Sequence, residues 1–106
     1  MIYRIFIQVL LIAFFLNGSV AGFGQTDGRK IRVACIGNSV TYGFGLNDRD
    51  TESYPAQLQH LLGSTYEVGN FGLNGATLLN KGHRPYVLTD EYKRALDFTP
   101  DIVVID

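Results

Sequence analysis

The chain has 106 residues, a formal net charge of −1 and 46% hydrophobic residues. That composition belongs to an ordinary globular protein of one domain at most and excludes disordered and collagen-like chains. The nine Lys and Arg residues are scattered rather than gathered into a stripe, which argues against nucleic acid or an anionic membrane surface as a partner.

Residues 1–21 read as a signal peptide. Arg4 supplies the positive n-region, Ile5 to Leu16 is an apolar run broken only by Gln8, and Ser19-Val20-Ala21 offers the small residues a signal peptidase reads. The run is short beside the roughly 20 residues a bilayer span needs. The mature chain is therefore expected to be secreted or periplasmic, with no stable membrane association after cleavage. Residues 22–29, rich in Gly and polar side chains, read as a linker, and residues 30–106 as the folded part. The single cysteine, Cys35, lies inside an apolar pattern and reads as a buried, inert thiol.

Lys30 to Gly37 is an apolar, β-branched run ending at glycine, expected to be a buried parallel strand. Asn38 to Thr51 reads as loop, with Gly43, Gly45 and Asn47 as breakers. A helix comes next, with Pro55 in its first turn, Leu58, Leu61 and Leu62 on one face and Gly63 as its stop. Tyr66 to Phe71 is a second strand, ended by Gly72, Asn74 and Gly75. Leu78 and Leu79 open an apolar stretch of undetermined state, and Lys81 to Pro85 is a loop. A second helix is expected from Asp90 to Phe98, capped by Thr89, with Tyr92, Ala95 and Leu96 as its apolar face. Pro100-Asp101 ends it, and Ile102 to Ile105 is a third strand. Alternating strands and helices predict an α/β fold with a parallel sheet.

The chemistry centres on Ile36-Gly37-Asn38-Ser39-Val40-Thr41-Tyr42-Gly43. A strand delivers Ser39 to a glycine-flanked turn at the sheet's carboxyl edge, where a hydroxyl can be exposed and a backbone N–H can face a developing oxyanion. Spacing alone leaves phosphate-binding loops and plain turns open. Asn70 to Thr77 (NFGLNGAT) comes after the second strand, so its glycines can bring a backbone N–H to the same point; two unrelated tight turns are the plainer reading.

These segments resemble known blocks. Gly37 to Gly43 is similar to the first block of the SGNH (GDSL-like) hydrolases, Asn70 to Thr77 to their second, and Pro100 to Ile105 to the strand that leads into their third. Ser53 to Leu58, Asn70 to Leu79 and Gly82-His83-Arg84-Pro85-Tyr86 resemble, more narrowly, bacterial sialate O-acetylesterase-like members. The resemblance implies a three-layer α/β/α, flavodoxin-like fold of which the N-terminal part is present. It also implies a serine esterase acting on carbohydrate acetyl esters, with no metal and no organic cofactor.

Carried over residue by residue, Ser39 matches the nucleophile and one oxyanion donor through its own N–H, and Gly75 matches the second donor. Asn38, Asn74 and His83 are candidates for substrate contact. The third donor, an asparagine, and the Asp-x-x-His pair that activates the serine are expected beyond Asp106, so the 106 residues alone are expected to be nearly inactive. Asn38 replaces the commoner aspartate before the serine, which changes local hydrogen bonding but removes no triad member.

His60, between Gln59 and Leu61, is expected on the polar side of its helix, and neither it nor His83 suits the base. Asp48, Arg49, Asp50 and Glu52 read as a solvated loop. Two other functions compete: a non-catalytic carbohydrate-binding pseudo-esterase, and a phosphate binder using Gly37 to Gly45. The second lacks both the G-x-x-x-x-G-K-[ST] and the G-x-G-x-x-G patterns.

Overall fold

A computed structural model describes residues 28–106; the signal-peptide reading and most of the linker lie outside them. Three parallel strands, β1 (Ile31–Gly37), β2 (Tyr66–Gly72) and β3 (Ile102–Ile105), form a sheet in the order β2-β1-β3. The register runs from Ile31 opposite Tyr66 to Gly37 opposite Gly72, and from Val33 opposite Ile102 to Ile36 opposite Ile105. The expected α/β fold with a parallel sheet is therefore what forms. β1 is the central strand, paired on both sides, and Val33, Ala34 and Cys35 in it are buried.

Successive side chains of a strand point to opposite faces. On one face Cys35 lies beside the Tyr54 hydroxyl of helix α3 (Tyr54–Leu62). On the other, Phe71 stacks on Phe98, ring centroids 5.3 Å apart, and Arg32 lies over the same Phe98 ring at 5.6 Å. Phe98 caps helix α4 (Asp90–Asp97), so α3 and α4 cover opposite faces and the molecule has three layers. Thr89 caps α4 as expected, its hydroxyl accepting from the Tyr92 N–H.

The stretch from Asn38 to Thr51 is not simply loop. It contains two one-turn helices, α1 (Ser39–Tyr42) and α2 (Arg49–Glu52). Each forms because an Asx side chain precedes it: Asn38 accepts from the Val40 N–H at 2.8 Å, and Asp48 from the Asp50 N–H at 3.0 Å. A 3-10 turn, Tyr86–Leu88, has no signal in the sequence pattern. The apolar face assigned to α3 is only partly buried, since Leu61 is 80% exposed. Gln59 takes the inner position instead, its amide donating to the Tyr66 carbonyl at 3.1 Å and accepting from the Val68 N–H at 2.8 Å. These bonds occupy the outer edge of β2, which has one neighbouring strand among the described residues.

The first residues of β3 are fixed to β1 by Asp101. Its carboxylate accepts from both terminal nitrogens of Arg29 and from the Arg32 N–H, and its own N–H donates to the Arg32 carbonyl. Those donors hold the Asp101 carboxyl below its ordinary titration range, the Arg29 hydrogen bonds contributing most.

Candidate active site

β1 ends at Gly37, the residue that lets the chain turn sharply into α1. A Cβ there would sit 2.5 Å from the Thr41 hydroxyl and 2.7 Å from the Asp106 carbonyl oxygen, so only glycine lets α1 fold back over the strand end. Ser39 then opens α1, half-buried, with its hydroxyl free of any hydrogen bond to a described residue.

Side chains of Asn70, Arg49, Tyr54 and Asp106 hold α1 in place. Asn70 of β2 donates its amide to the Thr41 carbonyl at 2.8 Å, while its side-chain oxygen accepts from the Gly72 N–H at 3.0 Å. Arg49 donates through Nε to the Tyr42 carbonyl at 3.0 Å and lies over the Tyr42 ring at 4.0 Å. Thr41, fully buried, shares hydrogen bonds with the Tyr54 hydroxyl at 3.2 Å and Asp106 Oδ2 at 3.4 Å. Burial is the main reason that the Tyr54 hydroxyl and the Cys35 thiol below it both titrate above their ordinary values. A raised thiol is a poor nucleophile, in keeping with the inert Cys35 the sequence predicts.

The second loop leaves from the neighbouring strand at the same edge. Gly72 packs so closely on α1 that a Cβ would overlap the Tyr42 backbone nitrogen. The Leu73 N–H donates to the Gly37 carbonyl at 3.0 Å, which ties the loop to the turn that carries Ser39. Leu73 to Ala76 is a β-turn closed by the Ala76 N–H on the Leu73 carbonyl at 3.1 Å. Gly75, at φ 76°, is its third residue, and Asn74 keeps a negative φ, which together define a type II turn. The Gly75 N–H donates to no described residue.

A cleft of about 330 Å³ opens at this edge, lined by Asn38, Ala76, Thr77, Leu78, Tyr86 and Asp106 among others. Among the sequence candidates, Asn38 thus serves both as helix cap and as cleft wall. His83 is exposed and lines a neighbouring, more polar hollow with Arg84 and Glu91. Asn74 lines neither, and its side-chain oxygen is buried without a hydrogen-bond partner among the described residues. His60 is exposed on α3, and neither histidine hydrogen-bonds Ser39. Asn70, Tyr54 and Arg49 support the turn without being singled out by the sequence pattern. Asn70 carries a signal, as an amide two residues before a strand-ending glycine; the other two do not.

A curated acetylxylan esterase of Xylanibacter ruminicola is 57% identical to this chain over 75 residues. The match takes in 71% of the chain and 16% of that protein, so the chain spans less than a fifth of its relative's length. No family model matches the chain. No solved structure matches it either.

Proposed function

We propose that this chain carries the nucleophile end of a serine esterase of the SGNH (GDSL-like) type, which removes acetyl groups from carbohydrates. The observation that carries the reading is the union of two loops at one sheet edge: the turn of Ser39 and the turn of Gly75 leave adjacent parallel strands and are joined by the Leu73 to Gly37 hydrogen bond. The likeness to an acetylxylan esterase supports the ester class and a sugar substrate.

In this mechanism Ser39 Oγ attacks the acetyl carbonyl as its proton passes to a histidine that lies outside the described residues. The N–H groups of Ser39 and Gly75 stabilise the tetrahedral oxyanion. Collapse expels the sugar hydroxyl and leaves an acetyl-enzyme, which water hydrolyses to acetate. The sugar lies against Asn38 and the cleft beside it, with Asn74 and His83 at the periphery. Sialate-type O-acetyl sugars fit the narrower resemblance, and acetylated xylan is the substrate in the relative's name. A signal peptide over residues 1–21 would place the enzyme outside the cytoplasm.

Acetate release from acetylated xylan and from O-acetylated sialic acid by the intact gene product tests the reading. Ser39→Ala is expected to lower the rate by about 10⁴-fold or more, the scale of losing a triad member. Hydrolysis unaffected by that substitution, or sugar binding without hydrolysis in the unaltered protein, would rule the reading out.

A further inference from the structure

Arg84 lies in the loop between β2 and α4 and belongs to neither the nucleophile turn nor the cleft. Its backbone is held: the Thr77 N–H donates to the Arg84 carbonyl at 2.9 Å, and the Tyr86 N–H donates to the Thr77 carbonyl at 2.8 Å. The residues between fold into a tight return, with the Gly82 N–H on the Leu79 carbonyl and Gly82 pressed against the Thr77 hydroxyl. From that base the guanidinium reaches across and donates through Nη1 to the Asn74 carbonyl at 2.7 Å. It also lies 4.0 Å from where a Gly75 Cβ would stand.

The Asn74 carbonyl and the Gly75 N–H are the two ends of one peptide unit. In a trans peptide they point in opposite directions, so whatever fixes the carbonyl also aims the N–H. This peptide is the central one of the type II turn, and its rotation is what distinguishes type II from type I. Glycine at the third position tolerates both orientations, so the turn by itself does not hold the N–H in place. A charge-assisted hydrogen bond on the carbonyl selects one orientation. It also polarises the amide and strengthens its N–H as a donor.

We infer that Arg84 is a positioning residue for the oxyanion site: by holding the Asn74 carbonyl it aims the Gly75 N–H at the reacting carbonyl of the ester. The inference rests on the esterase reading, and its effect falls on the transition state more than on substrate binding, because the oxyanion charge develops only as the carbonyl is attacked.

The test compares Arg84→Ala and Arg84→Lys in the intact gene product with an activated acetyl ester, alongside the amide resonance of Gly75 in ¹⁵N-glycine-labelled protein, assigned by its loss in Gly75→Ala. Arg84→Ala is expected to lower kcat about tenfold with KM nearly unchanged, a fraction of the roughly 100- to 1,000-fold lost with a whole donor. The Gly75 amide proton should move upfield, and Arg84→Lys should recover most of the rate because an ammonium can donate to the same carbonyl. An unchanged kcat in Arg84→Ala would overturn the inference while leaving Ser39-dependent hydrolysis intact. So would a loss shared between kcat and KM that lysine does not repair, or a stationary Gly75 resonance. Absence of any Ser39-dependent hydrolysis would instead remove the esterase reading, and the Gly75 resonance would still report whether Arg84 holds the peptide.

Discussion

At the scale of single residues, the site is built from side chains that are missing as much as from those present. Gly37 and Gly72 stand where two strand ends meet α1, and in both places another backbone or a buried hydroxyl occupies the space of a Cβ. Gly72→Ala would drive a methyl group into the Tyr42 amide, and neither backbone can yield without moving the turn that carries Ser39. We expect a loss of at least about 1–3 kcal/mol in unfolding free energy, the range for overpacking a tight site, measured by urea denaturation. A variant as stable as the parent would show that the close approach is not present in solution. The turns at Gly37 and Gly75 are legible in the sequence as glycine-rich strand ends, although spacing alone does not separate them from phosphate-binding loops or plain turns. Asn70, whose amide ties Thr41 to Gly72, does not stand out in the same way, since an asparagine at a strand end is equally at home as a simple turn residue.

At the scale of elements, the strands are readable from their apolar runs and their glycine stops, and α4 from its Thr89 cap. For α3 the sequence indicates the extent correctly and the orientation only in part. Leucine spacing points to one buried face, yet Gln59 faces the sheet because β2 has an unpaired outer edge whose polar groups need partners. Hydrophobic periodicity carries no information about such edges. Gln59→Ala should therefore cost about 1 kcal/mol, the net worth of a hydrogen bond, and should raise the exchange rate of the Val68 amide in particular. Equal exchange at Val68 in both proteins would mean that α3 does not guard the strand. The short helices α1 and α2 are hidden for a related reason: four residues are too few for a periodic pattern, and only the Asx caps at Asn38 and Asp48 announce them.

At the scale of the whole molecule, β1 and β2 bring the turns of Ser39 and Gly75 to one edge of the sheet, while Ile102, Val103 and Ile105 of β3 remain substantially exposed. The fold class is legible from the strand and helix alternation alone. The link between α4 and the site is not, because it runs through Tyr86. That side chain is buried, its hydroxyl donates to the Phe71 carbonyl at 2.6 Å, and its ring meets Tyr92 of α4 edge-on. Burial, reinforced by the charge of Glu91 and opposed by Arg94, pushes the phenol up to about 12 from its ordinary 10. The folded state thus keeps the Tyr86 proton longer than the unfolded chain does. Its contribution is complete below pH about 10 and is lost as pH rises toward about 12, at up to about 1.4 kcal/mol per pH unit. Stability measured from pH 9 to 12 should fall more steeply in the parent than in Tyr86→Phe; parallel curves would contradict the assignment.

The central claim is that Ser39 is a chemically competent nucleophile at this edge, and covalent capture tests it most directly. The intact gene product, treated with a fluorophosphonate and digested with trypsin, yields a peptide running from Val33 to Arg49. Mass spectrometry is expected to find the phosphonyl group on Ser39 of that peptide and to find none in Ser39→Ala. Capture on another residue, or no capture under conditions that label a control serine hydrolase, would contradict the account.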